Sequence, residues 1–490
     1  MLTLGATSRS QGLLLKYLPR LSLWVLPPPN RISFKSYGPV GLKQWLPTAT
    51  MAGSPPPTPP PRQPTDEERR FVPISLPCEW IESYYPGGYH PVHLGDTFKN
   101  GRYEIIRKLG DGSFSTVWLA RDTEKKTYVA LKILVSDLSE STDELQMLLH
   151  IYQAAPVQAA RFITQLWDNF EHTGPNGLHQ CLVFEPMGPT VNSMVEELPQ
   201  PNPLPDGIPS RYPPRLARTI LKQSLQALVF LHKYGIAHGD FQPGNMLFTL
   251  DDINSKTEDS LRQEESVESE SISPPVERLD GKTDRWAPRY LCVGQPLAAF
   301  ANYTGDNAKI KLSDMGGAYF FADPPKRPVI PTGLRAPELV LTGTVNKTFD
   351  VWSFGCLLFE IITGLPLFCT PWSDSQAAVD DNHLLQMTER LGPLPDELYK
   401  HWKTSLQYFT PQRELYNCGL GGVREGEEPL MFEQKSMEVA FDEAQPELEE
   451  EEARAIKMLI RRILQYDPAK RPSAAEVLQD PWFGMACFEI

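Results

Sequence analysis

Four short stretches of this chain bring together side chains and backbone suited to phosphate. Gly110-Asp111-Gly112-Ser113-Phe114-Ser115-Thr116-Val117 is a glycine-rich turn between two strand-like runs. Without Cβ atoms in the way, its backbone N–H groups can approach the oxygens of a triphosphate. Taken alone, the turn reads equally well as a tight hairpin. Lys132, closing Val129-Ala130-Leu131-Lys132, lies on the next strand-like run. A strand lysine is ordinarily solvated; its spacing behind the glycine turn sets this one apart, and Glu144 on the following helical stretch is a carboxylate able to hold it. His238-Gly239-Asp240-Phe241-Gln242-Pro243-Gly244-Asn245 puts a carboxylate and a carboxamide on one loop ahead of the apolar Met246-Leu247-Phe248. Lys311-Leu312-Ser313-Asp314-Met315-Gly316 supplies a second carboxylate.

These groups need a scaffold, and the patterning supplies one. Alternation and β-branched residues predict strands at Tyr103–Gly110, Thr116–Asp122, Thr127–Leu134 and Gln180–Glu185, with a helix over Thr142–Tyr152 between the last two. After a proline-rich loop at Pro199–Pro214, RLARTILKQSLQALVFLHKYG repeats apolar residues at helical spacing, and Gly235 sits where a C-cap belongs. Strand-rich first and helix-rich second is an α+β arrangement of two unlike lobes. The expected divisions are a leader over 1–70, an N-lobe over 71–188 and a C-lobe over 189–490. Asp251–Asp280 is crowded with Glu, Asp and Ser, which predicts a disordered insert in the C-lobe ending near residue 285. Its Ser260, Ser266 and Ser269 read chiefly as parts of a solvated linker.

Bulk properties narrow the field. The chain has 490 residues, 41% of them hydrophobic, and a formal charge of −14. That charge argues against nucleic acid or an anionic membrane as direct partners. Acidity suits a basic partner, or simply solubility. The scattered Cys78, Cys181, Cys292, Cys356, Cys369, Cys418 and Cys487 form no C-x-x-C pair, which points to a reducing compartment without structural zinc. No apolar run is long enough to span a bilayer. The first 65 residues lack Asp and Glu but contain Arg9, Lys16, Arg20, Arg31, Lys35 and Lys43. Such a start fits a mitochondrial presequence, an unstructured tail, or an upstream extension of a chain beginning at Met51. The acidic run Glu447–Glu452 is best placed as the negative first turn of the helix ARAIKMLIRRIL.

The order of the motifs resembles that of eukaryotic protein kinases. The resemblance implies a bilobal fold, a β-rich N-lobe over a helical C-lobe, that uses ATP and Mg²⁺. Lys132 would reach the α- and β-phosphates and pair with Glu144, Asp240 would accept the proton of a substrate hydroxyl, and Asn245 and Asp314 would hold Mg²⁺. Arg335-Ala336-Pro337-Glu338, Asp350-Val351-Trp352-Ser353-Phe354-Gly355 and Asp467-Pro468-Ala469-Lys470-Arg471-Pro472 complete the set. Glu338 and Arg471 would form a buried ion pair, and Asp350 would brace the loop of Asp240.

A narrower resemblance lies in Gly87-Gly88-Tyr89-His90-Pro91-Val92, Gly95-Asp96, Gly101-Arg102-Tyr103 and Phe114-Ser115-Thr116-Val117-Trp118-Leu119. These are similar to the SR-protein kinases, which also carry Ser at the third glycine position, lack Arg in the catalytic loop and have a spacer after it. The likeness runs from about Tyr84 to Phe483. It implies an adenine site formed by Leu109, Gly110, Gly112, Ser115, Val117, Ala130, Phe184, Glu185, Met187 and Leu247, with Phe184 as gatekeeper. It also implies serine or threonine phosphorylation in Arg/Ser-rich proteins of RNA processing, in cytoplasm and nucleus; the sequence leaves the oligomeric state open, with a monomer the default. Asp380 and Asp381, within Ala377–Leu394, fall in the region of the family's docking helix for basic substrates.

Two residues depart from the pattern. Gln242 replaces the lysine that contacts the γ-phosphate, which predicts slow or compensated turnover, or in the extreme a pseudokinase. Gly239 replaces the arginine that would pair with an activation-loop phosphate, which predicts an activation segment competent as translated.

Overall fold

A computed structural model of the protein describes residues 58–62, 64–139, 143–154, 156, 160–198, 210–298, 307–370, 373–416 and 435–484. The presequence reading of residues 1–50, the alternative start at Met51, most of the proline-rich loop, Cys418 and Cys487 lie outside them.

The first lobe is a twisted antiparallel sheet in the order β1-β2-β3-β4-β6-β5. Its strands are β1 (Thr97–Phe98), β2 (Tyr103–Gly112), β3 (Ser115–Asp122), β4 (Thr127–Leu134), β5 (Leu166–Gly174) and β6 (Gly177–Phe184). One face buries Ile105, Trp118, Leu131, Ile133 and Val183, the apolar positions that alternation had marked. Helix α1 (Asp143–Ala154) sits between β4 and β5 and turns Met147, Leu148 and Ile151 inward.

The second lobe begins after β7 (Met187–Thr190) and α2 (Val191–Met194) with α3 (Pro214–Lys233). Proline opens α3, where its missing N–H costs nothing, and Gly235 at φ +74° follows its end. The chain then forms β8 (Ile236–Ala237), β9 (Met246–Thr249), β10 (Ile310–Leu312) and β11 (Tyr319–Phe320). These pair as a β10-β9-β7 sheet and a β11-β8 ribbon. Between β9 and β10 lies the short α4 (Glu258–Leu261); after β11 come α5 (Pro337–Thr342) and α6 (Phe349–Thr363). Helix α6 is almost wholly buried and ends on Gly364 in the left-handed conformation. Then follow α7 (Gln376–Leu391), α8 (Asp396–Tyr399), α9 (Met437–Glu443), α10 (Glu450–Ile463) and α11 (Ala474–Leu478). Glu450, Glu451 and Glu452 occupy the first turn of α10, as the sequence suggested.

The expected disordered insert is corrected. Residues 251–298 are described and lie along the outer surface of the first lobe. Ile272, Tyr290 and Cys292 join the sheet core with Ile105 and Trp118. Ile253, Leu261 and Leu297 cover Ile106, Leu119 and Tyr128, and Leu291 packs with Phe71 and Tyr84. Three of the insert's acidic groups, Glu258, Asp280 and Asp284, are ion-paired in place. Glu258 pairs with Arg121 and Arg262, and Arg262 also reaches Glu104 at 3.0 Å. Sparse apolar anchors are enough because side chains and ion pairs, in place of a regular helix or strand, hold the segment together.

Candidate active site

The cleft between the lobes assembles the sequence-marked residues from five elements. Lys132 faces Val117 across the β3–β4 ladder, and its Nζ lies 2.8 Å from both Glu144 oxygens. The same ammonium lies 3.0 Å from Asp314 Oδ1. Burial disfavours the charged lysine, but the Asp314 and Glu144 carboxylates more than offset this, so Lys132 is held above its ordinary pKa and stays cationic. Asp314 is held below the usual carboxylate range: burial opposes its charge, but Lys132 outweighs that. Asp314 has φ +60° and ψ +83°, a left-handed conformation that its own carboxylate stabilises by accepting from Gly316 N–H at 3.1 Å. Met315 is buried at 1% exposure in the same core cluster as Met147 and Leu148 of α1.

Asp240 sits on the loop after β8. Both its carboxylate oxygens accept from Gln242 Nε2, at 2.7 and 2.8 Å. Asn245 Nδ2 donates at 2.9 Å to Asp240 Oδ2 and to its carbonyl. Burial pushes the Asp240 carboxyl up from the ordinary range, against the opposing pull of His238, Gln242 and Asn245.

The loop is laced to its neighbours. Ser313 donates from backbone and hydroxyl to Asn245 O at 2.8 and 2.9 Å, and His238 Nε2 lies 3.0 Å from Ser313 O. Buried Asp350 accepts from the N–H groups of His238 and Gly239 at 2.9 and 3.0 Å, with His232 Nε2 at 2.8 Å. Its carboxyl stays below the usual range because His232 and its other donors outweigh burial. Arg471 holds Glu338 through two 2.6 Å bonds. Sequence reasoning missed His232 and Ser313. The first shows only as a polar residue in the last turn of α3; the second makes its bonds largely through backbone.

Gly239 has a backbone reason to be glycine. Its φ is +73°, and a Cβ there would stand 2.1 Å from Gly317 O. The chain at this point cannot carry an arginine without rearranging.

The residues of the expected adenine site come from both lobes. Ala130 is paired with Phe184 across β4–β6, Val117 is paired with Lys132 across β3–β4, and Leu247 lies on β9 in the second lobe. Leu109, Gly110 and Gly112 lie on β2 and Ser115 opens β3, and Met187 is buried at the start of β7. Glu185, which the resemblance places at the hinge that holds adenine, turns its side chain to other partners. Its carboxylate is 2.6 Å from Lys311 Nζ through both oxygens and accepts from Gln165 N–H at 3.0 Å. Only its backbone remains for a ligand.

The docking expectation is corrected at one residue. Asp381 is buried and accepts from Trp402 Nε1 at 2.7 Å, from Thr404 Oγ1 and from Tyr408 OH at 3.0 Å. With these partners it is part of the core. Among the described residues its neighbour Asp380 bonds only the Gln376 amide, at 2.8 Å, and burial raises its carboxyl while Arg335 draws it back.

The residues present fit a hard divalent cation. Lys132 and Gly316 take Asp314 Oδ1, which leaves Oδ2; Asn245 uses its amide nitrogen on Asp240, which leaves its Oδ1. Two such oxygens, completed by phosphate and water, suit Mg²⁺.

A β-sheet lobe over a helical lobe, with a lysine–glutamate pair and two oxygen donors facing each other across the cleft, defines the protein kinase class. The protein kinase domain family matches residues 103–260 and 301–483. A serine/threonine-protein kinase SRPK of Physarum polycephalum is 31% identical over 414 residues, spanning 82% of this chain and 91% of the relative. The SRSF protein kinase 3 of Homo sapiens is 25% identical over 537 residues, spanning 82% and 89%. The crystallised PF14_0431 kinase domain shares the fold at a TM-score of 0.55 and 22% identity, over 81% of this chain and 98% of that one. The chain therefore belongs to the protein kinases, as a divergent member of the SR-protein kinase family.

Proposed function

We propose that this serine/threonine kinase is catalytically active and phosphorylates serines in basic, Arg/Ser-rich segments of RNA-processing proteins, as a monomer in cytoplasm and nucleus. The observation that carries the activity is the unbroken Glu144–Lys132–Asp314 contact, with all three distances at or below 3.0 Å. It spans both lobes and is the arrangement phosphoryl transfer needs.

The adenine of ATP lies between Val117 and Ala130 above and Leu247 below. Lys132 holds the α- and β-phosphates. Asp314 and Asn245 would hold Mg²⁺, which would neutralise phosphate charge. Asp240 orients the serine hydroxyl; the Oγ–phosphorus bond forms as the bond to ADP breaks, and the hydroxyl proton passes to Asp240. Basic substrates are favoured by the −14 charge and by Asp380 on α7. The SRPK and SRSF kinase names of the relatives support the same substrate class.

Gln242 favours a second reading, a nucleotide-binding scaffold, because it places a neutral amide on Asp240 where a cation would serve the γ-phosphate. The test uses radiolabelled ATP, Mg²⁺ and the full chain, with an Arg/Ser-repeat peptide against an acidic-context serine peptide. Labelling of the Arg/Ser peptide that disappears in Asp240→Ala is the expected result. Nucleotide binding without labelling of either peptide would leave the scaffold.

A further inference from the structure

Three consecutive residues of the glycine-rich turn each meet the N-terminal segment, the insert, or Lys108, a residue of β2 that is tied to both. Tyr89, in the segment before β1, donates its hydroxyl to Gly112 O at 2.6 Å. Asp111 is ion-paired at 2.9 Å with Lys108. At Gly110 the insert passes so close that a Cβ on Gly294 would lie 3.3 Å from the Gly110 Cα.

Lys108 ties these contacts together. It is fully buried, and its Nζ bonds Glu79 of the N-terminal segment and, at 3.1 Å, the Cys292 carbonyl of the insert. Its backbone N–H donates to Gln263 Oε1 at 2.9 Å, and its carbonyl accepts from Gln295 N–H at 2.9 Å. Gln263 is itself fixed by its Nε2, which donates to Ser271 O and Val293 O at 2.8 and 3.0 Å. The β2–β3 ladder bulges between Lys108 and Gly110, after which Gly110, Asp111 and Gly112 pair with Val117, Thr116 and Ser115. Groups outside the hairpin add their hold to that pairing.

We propose that Tyr89, Lys108 and the Gln263–Gln295 part of the insert are positioning residues for the nucleotide. They pre-set the Gly110-Asp111-Gly112 turn so that its N–H groups face the triphosphate before ATP arrives. Glycines free to move would be ordered at the expense of binding free energy; a turn held in place from outside avoids much of that loss. Lys108 has a second effect. Asp111 is an anion inside a phosphate-binding turn, and pairing with a buried ammonium draws its charge to the outer side and compensates it.

The inference rests on the proposed ATP site, and the test separates the two. Tyr89→Phe removes one hydroxyl and keeps the ring that packs with Tyr84. MgADP affinity is measured by calorimetry on the full-length protein, beside KM for ATP, KM for peptide, kcat and Tm. The expected result is about fivefold weaker MgADP binding and a matching rise in KM for ATP, the worth of one hydrogen bond. KM for peptide stays unchanged, and Tm falls by no more than the loss of one hydrogen bond explains. A merely structural tyrosine would lower Tm or the active fraction, and so kcat, with nucleotide affinity intact; that outcome overturns the proposal. If the wild-type protein binds MgADP but transfers no phosphate, the activity reading fails while the comparison of affinities still decides this one. Absence of nucleotide binding by the wild-type protein overturns both.

Discussion

Gln242→Lys is the most direct probe of the catalytic reasoning. The glutamine is buried at 8% exposure and spends its amide on both Asp240 oxygens. A lysine there would place a cation next to Asp240 and the γ-phosphate. One well-placed electrostatic donor aimed at charge that develops in the transition state is worth about 3 kcal/mol, about a hundredfold in rate. Part of the new attraction falls on Asp240, which is charged in the ground state too, and that part does not accelerate the reaction. The expected rise in kcat is therefore between about tenfold and about a hundredfold, with KM for ATP changing by less than about threefold. The pH profile supplies a second readout. Asp240 is held above the ordinary carboxylate range and works as the ionised form, so activity falls as pH drops through that raised value. A neighbouring cation favours the ionised form, and the acid limb moves to lower pH. Steady-state transfer to an Arg/Ser peptide at saturating ATP, followed from neutral to acid pH, measures both effects. An unchanged or lower kcat would refute the assignment of Gln242 as the missing cation.

The two carboxylates of α7 should behave oppositely. Asp381→Asn turns an amide toward the donors that now meet the carboxylate, at a cost of about 1–3 kcal/mol; Tm should fall while KM for the Arg/Ser peptide holds. Asp380→Asn should raise that KM a few fold and leave Tm alone; equal effects from both variants would sink the distinction. Phosphatase treatment should leave wild-type activity intact, because the Gly239 position holds no cation for an activation-loop phosphate. Gly239→Arg should yield less folded protein without any gain of phosphate dependence, since it meets both a left-handed φ and the Gly317 carbonyl; thermal melts and activity before and after dephosphorylation check this.

The chemistry of the site was legible because it lies in short motifs whose spacing survives in one dimension. Lys132, Glu144, Asp240, Asn245 and Asp314 meet as their order implied. The braces were not legible. Asp350 was foreseen from its motif, but its partner His232 is simply one polar residue at a helix end. Asp381 looks like Asp380 in sequence; only the fold brings Trp402 and Tyr408 onto one of them. The insert misled for a compositional reason. Its abundant Glu and Ser hide Ile253, Leu261 and Ile272, spaced too widely for either helical or strand periodicity, and its burial depends on a surface of the first lobe more than a hundred residues earlier in the sequence.

That packing has a consequence for synthesis. The chain emerges from the ribosome N-terminus first, and the strands of the first lobe are complete at Phe184. Their outer surface still lacks Ile272, Tyr290, Leu291, Cys292 and Leu297. Lys108, taken into the interior, lacks the Cys292 carbonyl and waits for it. Until these residues leave the exit tunnel, the nascent first lobe exposes an apolar strip, and water stands at Lys108 where the Cys292 carbonyl will come. Its maturation is therefore deferred until α3, the Asp240 loop and β9 have already been made. The two lobes of this kinase do not fold as successive beads; the second must be partly translated before the first can close.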